Sequence, residues 1–112
     1  MIVVKLLISD KMQGDAVASS LLQNKFTLNV FRSSFDSYHL GPSNIKLTQV
    51  DVIQFVTKSM LFSEIEASLK KDFFQIDFYM IATPIVHIAI NLHDKIKKRV
   101  IGMNLHDDKT EN

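Results

Sequence analysis

The sequence predicts a small three-layer α/β domain of Rossmann-like type, in which helices cover both faces of a parallel sheet. Residues 2–8 form an almost unbroken apolar, β-branched run, as in a strand that is buried on both faces. Helical patterns follow the first and the last predicted strand, each opened by a capping residue. The predicted order is β-α-β-α(α)-β-α, with the strands in the spatial order 2-1-3.

Length and composition indicate one folded domain. The chain has 112 residues, of which 46% are hydrophobic and 22% charged, with no cysteine and a formal net charge of +1. We assign residues 1–103 to a single domain and 104–112 to a polar, frayed tail. The near-neutral charge argues against non-specific nucleic-acid binding, because neutralising phosphates needs a larger basic excess.

The first half of the chain gives two elements and a long connection. Asp10 with Gln13 resembles a capping box, and apolar residues at helical spacing predict a helix over 11–23. Alternation over 26–31 predicts a second strand, parallel to the first. Residues 32–46 are rich in turn formers and are predicted to be a long loop that packs onto the domain.

Residues 48–73 allow two interpretations. Thr48 and Asp51 look like capping residues before an apolar spacing that favours one helix or two shorter ones. The content of Val, Ile, Phe and Thr in 45–57 instead favours a strand. If 45–57 is a strand, the order becomes βαββαβ, which is an α+β ferredoxin-like sandwich with a terminal helix.

The second half contains the clearest helical pattern. Residues 74–82 predict the third strand, and Thr83-Pro84 is a capping residue followed by proline at the first helical position. The helix that follows carries basic residues in its last turns, where cations suit the helix dipole. Its apolar stripe consists of Ile85, Ile88, Ala89, Leu92 and Ile96.

A parallel sheet would bring several polar residues to the carboxyl edge of its strands. Ligands bind at this edge, where helix N-termini also point, so the edge is the predicted site for a small anion such as phosphate. The predicted ligand-binding residues are Asp10, Arg32, Ser33, Ser34, Asp36 and Thr83. No glycine-rich phosphate loop accompanies them.

Catalytic and metal chemistry have weaker support. We assign no catalytic residue, metal or cofactor to the sequence. Asp10 and Asp36 are the candidate ligands of the alternative function, a metal-dependent phosphoryl-transfer or phosphodiester enzyme. A second alternative, a nucleic-acid-associated regulator, would use the basic patch formed by Lys95, Lys97, Lys98 and Arg99.

The helices carry more apolar surface than a three-stranded sheet can cover. This surplus predicts a homodimer through Ile85, Ile88, Ala89, Leu92 and Ile96, or through the 48–73 segment. No stretch approaches the roughly 20 apolar residues of a membrane span, and a secretory signal pattern is missing from the first residues. We therefore predict a cytoplasmic, self-associating interaction or anion-sensing module.

Overall fold

The computed structural model describes residues 1–9 and 13–102, and the predicted tail therefore lies outside the described residues. A single domain over 1–103 stays a prediction. The strands are β1 (Ile2–Ile8), β2 (Phe31–Leu40), β3 (Ile45–Thr57) and β4 (Phe78–Pro84). The helices are α1 (Gly14–Gln23), α2 (Phe62–Asp72) and α3 (Ile90–Arg99), with a 3₁₀ turn at Ser59–Leu61 before α2.

The four strands form one antiparallel sheet in the order β2-β3-β1-β4. Since β1 and β2 are both antiparallel to β3, they run in the same direction with β3 between them. The second split unit, β3-α2-β4, places β1 between its two strands in the same way. This is the ferredoxin-like α+β sandwich, so the predicted Rossmann-like parallel sheet of order 2-1-3 is wrong.

The difference between the predicted and the observed sheet lies in β3, whose capping signal and apolar spacing favour a helix although the segment forms a strand. In β3 both faces are rich in apolar residues, so spacing alone did not separate the two structures. The structure shows period-two burial at Asp51, Ile53, Phe55 and Thr57, as in a strand with one covered face. The β-branched content therefore outweighed the capping signal at Thr48.

The predicted loop 32–46 is mostly β2 and the turn of a β-hairpin. A four-residue connection joins β2 to β3, and the backbone N–H of Gly41 donates to the Asn44 carbonyl at 2.8 Å. The turn formers at 41–44 thus occupy the hairpin tip. The serines of β2 lie in a strand, which sequence reasoning missed because serine is common in turns.

The last strand and helix are also shifted from their predicted bounds. Thr83 and Pro84 end β4 rather than open a helix, and α3 begins at Ile90. Proline is tolerated there because β4 is an edge strand. The next N–H, that of Ile85, donates to the Met1 carbonyl at 3.1 Å and holds the connection against β1.

The core lies between the helices and one face of the sheet, which we call the covered face. On β1 this face carries every second residue from Ile2 to Ile8, and all four are buried. Residues of all three helices complete the cluster: Val17, Leu21, Ile65, Leu69 and Ile96, followed by Val100 just after α3. Among residues 1–9 and 13–102, no helix has the length and hydrophobicity to cross a bilayer.

Side-chain hydrogen bonds fasten the connections to this core. Thr57 donates to the Phe26 carbonyl and Thr27 donates to the Val56 carbonyl, each at 2.6 Å. These two bonds attach the segment after α1 to the end of β3. Lys58 Nζ donates to the Val100 and Ile101 carbonyls, at 2.9 and 3.2 Å, and so caps the end of α3.

Candidate functional site

Arg32 is the centre of a charged cluster at the end of β1. Its Nε and Nη2 both donate to one carboxylate oxygen of Asp51, at 2.9 and 2.6 Å. Ser34 donates to the other Asp51 oxygen at 2.9 Å, and Nη1 of Arg32 binds Asp15 at the start of α1. Asp51 is only 1% exposed, so the guanidinium supplies the counter-charge that a buried carboxylate needs.

The ion pairs of this cluster join three elements of the fold, and binding of an external anion here stays a prediction. The hydrogen bond to Asp51, followed by the attraction of the same carboxylate, raises the pKa of Arg32 above its usual range. The guanidinium lies over Gly14, where a Cβ atom would collide with it. With two carboxylates already bound, Arg32 acts as a link between α1, β2 and β3.

The other β2 residues of the predicted site divide between two faces. Ser34 and Asp36 share the covered-face side of β2 with Arg32, because alternate residues of a strand point the same way. Ser33 therefore lies on the opposite face. Asp36 accepts a hydrogen bond from its cross-strand neighbour Gln49 at 3.2 Å.

Thr83 is far from this cluster. It pairs with Val3 on β1, whereas Asp51 pairs with Ile8, five residues further along the same strand. At about 3.3 Å per residue, the separation along the sheet is roughly 17 Å. The antiparallel order thus places Thr83 at the other end, and Asp10 lies outside the described residues.

The described residues contain no ready-made metal centre. Within residues 1–9 and 13–102, no three His, Asp or Glu side chains lie close enough to hold one ion. Asp36 is described, but its predicted metal partner Asp10 is not. A metal-dependent reaction using these two carboxylates stays a prediction.

The predicted basic patch lies on α3. Lys95, Lys97, Lys98 and Arg99 are all exposed, and the last three occupy the final turn of the helix. Their position at the C-terminal end agrees with compensation of the helix dipole. A nucleic-acid contact through this patch stays a prediction.

We call the second face of the sheet the open face. The sequence did not predict it. The register assigns to it the odd-numbered positions of β1, β2 and β4 and the even-numbered positions of β3. The helical residues of the core all group with the covered face. Its apolar members are Val3, Leu7, Phe31, Phe35, Val50, Val52, Val56, Tyr79 and Ile81.

The β2–β3 hairpin extends the sheet beyond the body of the protein and carries exposed apolar side chains on both of its faces. β1 ends at Ile8, opposite Asp51, so the pairs from Phe35–Val50 to Leu40–Ile45 have no third strand beside them. We call residues 35–50 the ribbon. It contributes to a longest dimension of 54 Å. On the covered-face side, past the end of β1, it exposes Tyr38 (73%), Leu40 (84%) and Ile45 (69%).

The buried carboxylate of Asp51 and the aromatic residues of the ribbon could both have been noticed in the sequence. Asp51 was considered only as a helix cap, but it lies between Val50 and Val52, where a buried carboxylate requires a cation. The aromatic residues Phe35 and Tyr38, placed among turn formers, indicated packing rather than a free loop. The partner of each could not be chosen without the strand register.

Known proteins resemble this chain in fold and not in sequence. No family model matches this sequence, and no curated protein sequence matches it either. Solved structures do match. CutA1 from a psychrotrophic Shewanella is 18% identical with a TM-score of 0.80, covering 90% of this chain and 95% of its own.

Two archaeal structures give the same result. CutA1 from Pyrococcus horikoshii has a TM-score of 0.79 at 13% identity and covers 91% of this chain and 100% of its own. The divalent cation tolerance protein CutA of Archaeoglobus fulgidus, described as periplasmic, has a TM-score of 0.77 at 18% identity, with coverages of 89% and 99%. This protein therefore has the fold of the CutA proteins, a ferredoxin-like sandwich with an extended β2–β3 hairpin.

Proposed function

We propose that this protein is a self-associating module of the CutA type, assembled through the open face and the ribbon and acting in divalent cation tolerance. The name "divalent cation tolerance protein" belongs to the Archaeoglobus relative, and its extension to this chain is part of the proposal. A cytoplasmic location is likewise part of it. The observation that carries the proposal is the exposed apolar surface on the open face and on both faces of the ribbon.

The ribbon gives the first argument for a partner. A two-stranded hairpin without a third strand or a helix against it is marginally stable in water. The ribbon nevertheless continues for six residue pairs past β1. Phe35 and Leu47 are more than half exposed, at 54% and 57%. Contact with another copy would cover these side chains and supply the missing support.

The open face gives the second argument. Monomeric proteins rarely expose apolar patches beyond a few hundred Å², and larger ones usually mark interaction surfaces. Phe31 on β2 is 65% exposed, and Tyr79 and Ile81 on β4 are 77% and 53% exposed. A second copy is the natural occupant because one face packing on its own equivalent is the usual way in which homo-oligomers form.

This interface differs from the one that the sequence predicted. Ile96, a member of the predicted helix stripe, is 1% exposed and belongs to the core of its own chain. In the 48–73 segment, residues up to Thr57 form β3, and Ile65 and Leu69 of α2 are buried. We therefore propose the sheet rather than the helices as the surface of self-association.

Light scattering over a range of protein concentrations tests this proposal. We expect a mass that is a multiple of the single chain. Phe35→Lys and Ile81→Lys should shift the mass toward the monomer because each places a charge on the apolar surface. The matched control is Leu22→Lys on α1, where the wild-type side chain is 41% exposed.

A second variant separates the two interfaces. Ile90 on α3 is 78% exposed, so Ile90→Lys should leave the mass unchanged if the sheet is the interface. Dissociation by Ile90→Lys, without an effect of the sheet variants, would contradict the proposed surface. A wild-type monomer at every concentration would contradict self-association itself.

A further inference from the structure

Lys5 is a cation at the centre of the open face. It is the middle residue of β1, where it pairs with Gln54 on β3 and Ile81 on β4. Its neighbours on the same face of β1 are Val3 and Leu7, and the Lys5 side chain is exposed. A charge at this position interrupts the apolar surface that the proposed assembly would bury.

Within the four described strands, the same face offers Lys5 no carboxylate. In the strands as described, the polar residues on the open face are Ser33, Ser37, His39, Lys46, Thr48, Gln54 and Thr83, in addition to Lys5 itself. The two carboxylates of the sheet strands, Asp36 and Asp51, lie on the covered-face side. Asp51 is moreover bound to Arg32 and Ser34.

Self-association would therefore bring together faces whose strands carry two lysines, Lys5 at the centre and Lys46 on the ribbon, and no acid. Where this face packs on its own equivalent, a second copy supplies another cation rather than a counter-charge. Burying an ammonium group without an opposite charge is strongly unfavourable. A small anion at the interface would remove this penalty.

We propose that Lys5 and Gln54 bind a small anion, a carboxylate or a phosphate, in the interface between copies of this chain. The inference rests on the proposed self-association. Cross-strand neighbours have Cβ atoms roughly 5 Å apart, so the ammonium and the carboxamide can donate to one anion. In the assembled interface the surrounding valine, leucine and isoleucine side chains would exclude water, which strengthens a charge-assisted hydrogen bond.

The test compares the stability of the oligomer in different anions. The mass of the full chain is followed on dilution in chloride, in inorganic phosphate and in acetate at matched ionic strength. At an anion concentration about ten times its dissociation constant, we expect the association constant to rise roughly tenfold per occupied site. The phosphate and acetate arms identify which anion class binds.

Two variants isolate the role of Lys5. In Lys5→Met the oligomer should persist, associate more tightly in chloride than the wild type, and lose the response to phosphate or acetate. Lys71→Met, at an exposed position on α2, should respond as the wild type does. General salting-out by phosphate would act on both variants alike.

The outcomes distinguish this inference from the proposed function. An oligomer that responds to neither anion, or equally in the wild type and Lys5→Met, overturns the anion site and leaves self-association intact. A chain that is monomeric in all three salts overturns both.

Discussion

Gly14 lies directly beneath the guanidinium of Arg32, so close that a Cβ atom on residue 14 would overlap it. Alanine is normally favoured over glycine in a helix by up to about 1 kcal/mol. Here Gly14→Ala should instead destabilise the protein, because Arg32 would have to leave Asp51. Chemical unfolding at a fixed protein concentration measures this effect.

The same substitution in a second background provides its control. In Arg32→Met the guanidinium is gone, and Gly14→Ala should then become neutral or stabilising. A double-mutant cycle over the two positions reports their coupling directly. Equal effects of Gly14→Ala in both backgrounds would show that the contact with Arg32 has no energetic weight.

Asp51→Asn should lower the free energy of unfolding by about 2 kcal/mol, the range of hydrogen bonds to charged groups. The buried carboxylate accepts from Arg32 and Ser34, and an amide cannot accept at both of its atoms. The matched control is Asp15→Asn. Asp15 binds the same guanidinium but is 93% exposed, so its loss should cost less than about 0.5 kcal/mol.

The effect of Asp51→Asn should also be insensitive to alkaline pH. Asp51 raises the pKa of Arg32, and a group with a raised pKa in the folded state contributes fully below its unfolded pKa. That contribution is lost only as the pH passes the raised value, far above pH 10. Unfolding at pH 7 and pH 10 should therefore give the same difference between the variant and the wild type.

Thr57→Val should destabilise the fold by about 1 to 3 kcal/mol, although the side chains have nearly the same shape. The Thr57 hydroxyl is fully buried and donates to the Phe26 carbonyl, which would lose this partner. Thr48→Val, at an exposed position of β3, should change the stability by less than about 0.5 kcal/mol. Similar losses in both variants would contradict the assigned role of the hydrogen bond.

Lys58→Met should loosen the end of α3. The ammonium group donates to two carbonyls at that end, and their loss should cost about 1.5 kcal/mol. Hydrogen exchange of a peptide spanning 90–102 should become faster, because this contact joins the segment to the end of β3. In Lys70→Met only a surface ion pair with Glu66 is removed, and exchange in 90–102 should remain at the wild-type rate.

The sequence predicted the first strand, the helix after it and the strand after α2 with small shifts in their bounds. The two strands are rich in β-branched and aromatic residues, and the helix has apolar residues at helical spacing. β3 has apolar residues on both faces, and this pattern suited a helix as well as a strand. Whether 45–57 is a helix or a strand decides the sheet order, because an extra strand converts a parallel α/β unit into an antiparallel sandwich.

The candidate site was predictable only in part. Arg32 and Ser34 were selected for the right region, at the end of β1 and the start of α1, but as ligands of an external anion. Their partner Asp51 lies seventeen or more residues away and becomes a neighbour only through the β2–β3 register. Predicting the open face also requires the strand register, since its residues come from four strands.

The position of β1 in the sheet has a consequence for biosynthesis. β1 precedes both strands that pair with it, and its outer neighbour β4 begins only at Phe78. A nascent chain therefore carries an apolar strand with an unpaired edge while some seventy further residues are translated. Such strands are prone to aggregate, and pairing between distant segments forms slowly. The yield of soluble protein should depend on the speed of translation and on chaperones that shield β1 until β4 has emerged.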